Sequence, residues 1–312
     1  MRICSLVPGA TEVVAALGLA DSLVGISHEC DYPAAVRNVR VMVQPAVDSD
    51  GTDSADIDRQ VKALTSSGQP LYRLDESALA EAKPDIILTQ DVCHVCAVTP
   101  HELVRAMRSL PRRPQLLTLA PHSLKDVIDD VERIGAALGV ASQGRDLADA
   151  LRSRMAAIHN RSKGQSRPRV VCLEWLSPPY VGGHWIPEMV EAAGGHDALG
   201  QAGEPSRQVT REEVRAAAPD LLIVMPCGFS VARTVSELTL LCRKDPASSA
   251  LLLSAGKTYV VNAGSYFSRP GPRLVDGVEL IADICAGTVS SSRGDDAVRD
   301  LTGSACLAGR TL

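Results

Sequence analysis

Apolar and polar positions along this chain follow two periods in turn. Short apolar runs of strand length occur at Arg2–Val7, Leu23–Ser27, Asp85–Leu88 and Gln115–Leu119, each bounded by polar, Gly or Pro residues. Between them the spacing becomes helical. A helix is predicted over Glu12–Leu17, ended by Gly18, and others over Ile57–Ser66 and Leu74–Ala82. Residues 45–58 are rich in Asp and Ser and read as a loop. Ser123-Leu124-Lys125-Asp126 carries a capping-box pattern and opens a helix running to Gly139. Arg145–Asn160 follows with apolar residues at 147, 151, 155 and 158 and charges elsewhere, which suits a helix bridging two lobes before the polar linker 162–167.

The pattern then repeats. Arg169-Val170-Val171-Cys172-Leu173 parallels Arg2-Ile3-Cys4-Ser5-Leu6, and Val209–Ile223 parallels Leu74–Leu88. In both longer segments a short helix leads through Pro-Asp (Pro84-Asp85, Pro219-Asp220) into a buried strand. A further strand is expected at Lys257–Asn262 and a closing helix at Leu274–Ile284. A duplication of this kind predicts an α/β protein with two Rossmann-like three-layer lobes. The expected organisation is an N-terminal lobe over 1–122, a helical bridge over 123–166, a C-terminal lobe over 167–285 and a disordered tail over 286–312.

Composition narrows the function classes. Of 312 residues 45% are hydrophobic, and the net charge of -5 argues against nucleic acid as a partner. No apolar run is long enough for a transmembrane segment. The chain opens on a strand with no secretory leader pattern before it, so a cytoplasmic location is expected. In that compartment the nine cysteines are expected as thiols or metal ligands rather than disulfides.

Ligands of open α/β sheets bind at the carboxyl ends of the strands. Those ends hold Thr11, His28, Cys30, Tyr32, Gln90, Asp91, Cys93 and Cys96 in the first half, and Trp175, Trp185, Cys227, Phe229, Tyr266 and Arg269 in the second. Seven of the nine aromatics fall in these segments, which favours a flat, partly apolar ligand held by stacking. Thr11, Tyr32, Gln90, Asp91, Trp175, Trp185, Phe229, Tyr266 and Arg269 are the candidate ligand contacts. Trp185 follows Gly182-Gly183, read as a flexible approach, and Arg269 offers a planar cationic fork. His28, Cys30, Cys93, Cys96 and Cys227 have the side chains of a zinc or iron site. The Cys93-x-x-Cys96 pair also permits redox chemistry, axial ligation of a metal inside a macrocycle, or simple packing. No Ser-His-Asp arrangement, P-loop or paired-carboxylate motif points to an enzyme.

The order of these motifs resembles the periplasmic-binding family whose lobes are joined by a helical backbone and which carries iron–siderophores, haem and cobalamin. The likeness spans about residues 2–285. It rests on Leu6-Val7-Pro8-Gly9-Ala10-Thr11-Glu12 and on the helix–Pro-Asp–strand units at 74–88 and 209–223. His28–Pro33 and Asp91–Cys96 are similar to segments of cytosolic members labelled cobalamin-binding. The resemblance implies a class III solute-binding clamshell that is not an enzyme. A small-molecule metal chelate, such as cobalamin or a related corrinoid, would lie in the inter-lobe cleft. A zinc- or iron-binding metallochaperone or a thiol-dependent enzyme is the alternative. Members that deliver to a permease place a glutamate on each lobe. Glu212 occupies the second position and Ser77 the first, which speaks against two-point permease docking.

Overall fold

The structure, a computed structural model, describes all residues except 50, 93–99, 109, 111, 290–293 and 305–312, and no side chain over 100–102. It resolves into two compact units. The first comprises Met1–Thr52, Asp56–Arg152 and Pro270–Pro272, and the second Asp53–Ala55, Ser153–Arg269 and Arg273–Leu312.

The first unit is built on β1 (Ile3–Ser5), β2 (Leu23–Ser27), β3 (Val41–Pro45), β4 (Tyr72–Leu74), β5 (Ile86–Gln90) and β6 (Gln115–Leu119). Their order across the sheet is β4-β3-β2-β1-β5-β6, parallel except for β3 with β4. Every residue of β1 and β5 is buried, as expected for central parallel strands covered on both faces. One face packs Cys4, Leu6, Met42, Val43, Ile87 and Leu103 into a single core. The second unit contains β7 (Arg169–Leu176), β8 (Pro179–Val181), β9 (His196–Asp197), β10 (Arg207–Gln208), β11 (Leu221–Val224), β12 (Lys257–Val261) and β13 (Val298–Asp300). The order is β10-β8-β7-β11-β12-β13, with β9 also pairing β7. Here β7, β11 and β12 are parallel, and β8 and β13 flank them in antiparallel sense.

The sequence repeat has an atomic counterpart. Asp85 accepts the backbone N–H of Arg2 at 2.8 Å, and Asp220 accepts that of Arg169 at the same 2.8 Å. Each aspartate returns its own N–H to the arginine carbonyl, at 2.8 and 2.9 Å. Each arginine Nε then reaches the last turn of the short helix before Pro-Asp, at Ala82 O (2.7 Å) and Ala217 O (2.9 Å). Helix carbonyls at that end have no intrahelical donor, so a guanidinium there satisfies an otherwise orphaned group. The chain leaves both helices through a left-handed residue before proline, Lys83 at φ 46° and Ala218 at φ 43°. Neither is the glycine that such a position favours.

Several elements differ from the sequence expectation. The first helix begins at Pro8 (Pro8–Ala16), because proline at the first helical position already has the required φ and no N–H to satisfy. The stretch 8–11 is therefore the first turn of the helix, ahead of the expected start at Glu12. β3, β4, β8, β9, β10 and β13 were not legible; most have two or three residues and gain their pairing only from a neighbour. Within the expected disordered tail, Val298–Asp300 form β13 against β12, and Ala297, Val298 and Leu301 are buried. The expected capping box at Ser123 and Asp126 is present. The long charged helix runs over Ala141–Ser162, and the boundary between the units falls within it, after Arg152. Arg152 pairs with Asp129 and Glu132 in the first unit, and Arg154 pairs with Asp276 and Glu279 in the second.

Replacing Asp220 by Ala removes the clamp on Arg169 and is expected to lower the unfolding free energy by about 1 kcal/mol, read from urea denaturation. Asp197 supplies a pH-dependent test. Its carboxyl is raised above the usual value of 3.8 by burial, against which the Gly200 and Leu199 N–H groups pull it down. Its Oδ2 has no hydrogen-bond partner among the described residues. The folded state thus holds this proton more tightly than the unfolded chain. Stability from this group is present below the unfolded value and lost as pH rises through the folded one. Asp197→Asn is expected to remove that loss, so its urea midpoint gains on wild type as pH rises above the usual carboxylate value of 3.8.

Candidate functional site

The second unit assembles an aromatic cluster at its strand ends. Trp175, near the end of β7, lies opposite Tyr180 of β8 in the antiparallel register. Phe229 follows β11 and meets Trp175 edge-on, with ring centroids 5.4 Å apart and planes at 65°. The Arg233 guanidinium sits 3.7 Å from the Phe229 centroid, a cation–π arrangement. Phe229 is buried, whereas Trp175 is half-buried and keeps surface for a partner. Beside them, Cys227 donates its N–H to the Glu174 carbonyl at 3.0 Å, and Ser206 Oγ donates to Glu174 Oε2 at 2.8 Å. Tyr266 is half-buried, with the Arg273 guanidinium 6.0 Å from its ring centroid.

Two candidates from the sequence belong elsewhere in this unit. Trp185 is not a stacking wall: it is 7% exposed and donates its indole N–H to Phe267 O at 2.8 Å. The preceding glycines are tightly packed rather than flexible. A Cβ on Gly183 would stand 2.3 Å from Glu204 O, and one on Gly182 would stand 2.8 Å from the Ile186 side chain. Arg269 is buried rather than presented at a surface turn.

In the first unit Thr11 is wholly buried, with its hydroxyl 2.8 Å from Ser5 Oγ, 3.1 Å from Val7 O and 3.0 Å from Cys30 Sγ. Thr11 is therefore a core residue, and the Cys30 thiol is turned inward beside it. His28 is half-buried: its Nδ1 lies 3.2 Å from Val43 O, its Nε2 lies 3.4 Å from Glu29, and its ring is tilted against Tyr72. Tyr32 is 48% exposed, and Gln90 is buried at the end of β5 beside exposed Asp91.

The expected metal cluster does not assemble among the described residues: no group of three His, Cys, Asp or Glu side chains could hold a metal ion. Cys93 and Cys96 lie outside the described residues. The Cys30 sulfur lies 3.0 Å from the Thr11 hydroxyl in the core. Cys4, Cys172 and Cys285 are poor nucleophiles. Burial raises Cys4 and Cys172 well above the usual thiol value, and Cys285 is pushed up to about 12. Cys4, Cys172, Cys227 and Cys285 are free thiols.

Sequence reasoning passed over three residues that shape the aromatic cluster. Ser54 is wholly buried and presents its carbonyl to Trp175 Nε1 at 3.1 Å. Glu237 accepts both the N–H (2.7 Å) and the hydroxyl (2.6 Å) of Ser54. Arg233 lies one turn before Glu237 on the helix Val231–Lys244. The sequence pattern put Ser54 in the loop 45–58, and nothing local linked it to a glutamate 183 residues away.

Two α/β units, each with a central parallel sheet, and aromatic residues at the strand ends of the second define a solute-binding class of protein. The chain belongs to the periplasmic binding protein family, whose model matches residues 3–239. It is 25% identical to a vitamin B12-binding protein of Vibrio vulnificus over 229 residues, covering 72% of this chain and 71% of the relative. It is 24% identical over 289 residues to an uncharacterized ABC transporter substrate-binding lipoprotein of Bacillus subtilis, covering 90% and 79%. The structure of the periplasmic vitamin B12 binding protein of Vibrio cholerae superposes with a TM-score of 0.66 at 20% identity, covering 92% of this chain and 97% of that one, and shows the shared fold. Membership of that family makes the chain a binding protein rather than an enzyme. The expected cytoplasmic location is overturned: it rested on the absence of a leader pattern, and the relatives are periplasmic proteins or a lipoprotein, which act outside the cytoplasm. Among the described residues no helix is long and apolar enough to cross a membrane.

Alkylation of the native protein with iodoacetamide, followed by peptide mass mapping, is expected to modify half-buried Cys227 while leaving buried Cys4 and Cys172 unreacted until the protein is denatured.

Proposed function

We propose that this chain binds a cobalamin-like corrinoid, with Trp175 as the principal stacking surface. The observation that carries the reading is the half-buried indole at the carboxyl end of β7, backed by Phe229 and by the Arg233 cation. A flat, partly apolar macrocycle suits such a wall, because aromatic stacking gains contact area at small conformational cost. The vitamin B12-binding relatives support the choice of corrinoid over the family's other chelates. Tyr32, Tyr180 and Tyr266, which keep exposed surface, are further proposed contacts. Gln90 and Asp91 are proposed as polar contacts at the end of β5. A permease partner is proposed on the same family reading, through Glu212 alone rather than by two-point docking, since Ser77 stands at the first position. Glu212 is exposed and only loosely paired with Arg215 at 3.7 Å, which leaves it available for docking.

Titrating the purified protein with cyanocobalamin is expected to shift the visible spectrum saturably, with the corrinoid co-eluting on gel filtration. Trp175→Ala is expected to weaken binding by about 2 kcal/mol, roughly thirtyfold. Absence of both the shift and co-elution, with haemin binding instead, would replace the corrinoid with a haem-type ligand.

A further inference from the structure

The second unit includes a tripeptide from far upstream, Asp53–Ala55. Ser54 is the first residue of the helix Ser54–Ser66, where backbone N–H groups lack intrahelical acceptors. The Glu237 carboxylate fills that role from a distant helix, taking the N–H and the hydroxyl of Ser54 on one oxygen, Oε1. A carboxylate at a helix amino terminus is favoured by the macrodipole, and its hydrogen bonds are charge-assisted. Asp53 adds an ion pair to Lys244 at 3.1 Å on the same helix as Glu237. The peptide that follows Ser54 is thereby fixed, and its carbonyl receives the only polar hydrogen of the Trp175 side chain at 3.1 Å.

We propose that Glu237 is a positioning residue for the Trp175 wall, acting through Ser54. The proposal rests on the reading of Trp175 as a ligand surface. An indole is oriented by two side-chain torsions, and here two restraints set them. The N–H is held by Ser54 O, and the ring meets the edge-on Phe229 at 5.4 Å. Arg233, four residues before Glu237, lies over the same Phe229. Positions four apart share one helix face. The helix Val231–Lys244 therefore braces both the phenyl ring and, through Ser54, the indole. A wall ordered before the ligand arrives loses less side-chain entropy on binding, so Glu237 contributes to affinity without touching the ligand.

The test uses full-length protein labelled with fluorotryptophan, whose two tryptophans give separate fluorine NMR lines, with Trp175 assigned by Trp175→Phe. Without ligand, Glu237→Ala is expected to shift and broaden the Trp175 line while leaving that of Trp185 in place. Cyanocobalamin affinity is expected to fall about tenfold. Glu237→Gln keeps an oxygen able to accept both Ser54 donors and is expected to restore line and affinity together. Ser54→Ala, which removes only the hydroxyl bond, is expected to give an intermediate effect and provides a readout if Glu237→Ala does not fold. A Glu237→Ala protein with reduced thermal stability but an unchanged Trp175 line and unchanged affinity would overturn the inference, leaving Glu237 a helix cap alone. If wild type binds no cyanocobalamin while the Trp175 line still responds to Glu237→Ala, the corrinoid reading fails and the coupling of Glu237 to Trp175 stands.

Discussion

Each sheet depends on a buried pair of parallel strands brought into register by one aspartate. Asp85 and Asp220 stand at the entry to β5 and β11 and clasp the backbone of Arg2 and Arg169 at the entry to β1 and β7. A buried parallel pair has no solvent to absorb a slip, since a shift by one residue turns every side chain to the opposite face. Anchoring the first residue of each strand fixes where the strands end, and the strand ends carry the aromatic and polar groups. The arginine side chain ties the preceding helix to the same point, so helix, turn and strand are fixed as one piece in both units.

Within the second unit, strand-end position separates residues that can meet a ligand from those that only resemble them in sequence. Trp175 and Trp185 both stood out in the sequence as aromatic candidates beside polar or glycine-rich segments, yet their indole N–H groups go to different places. That of Trp185 closes on a core carbonyl and buries the ring, whereas that of Trp175 is tied to an upstream carbonyl and leaves part of the ring open. In the proposed reading this open aromatic surface receives the solute, in keeping with membership of the periplasmic binding protein family. The thiols play a humbler part. Where described they are buried or half-buried, and those whose proton affinity is displaced are displaced chiefly by burial, which suits small apolar fillers.

The sequence by itself determined the α/β class, the duplication, the central strands and the capped helices, because each rests on local periodicity or on a few adjacent residues. Pro84-Asp85 and Pro219-Asp220 announced equivalent turns, and Ser123 with Asp126 announced a helix start. The short strands β4, β9, β10 and β13 left no such signal: two or three residues carry no readable period, and their hydrogen bonds come from a neighbour. Site residues divided along the same line. The sequence brought Trp175 and Phe229 to strand ends, and only folding set their rings 5.4 Å apart. Only tertiary structure decided that Thr11 and Cys30 face each other in a core, that Trp185 is buried, and that Glu237 reaches Ser54 across 183 residues. The direction of a side chain and the partner of a hydrogen bond depend on what packs alongside, and the chain's linear order does not carry that information.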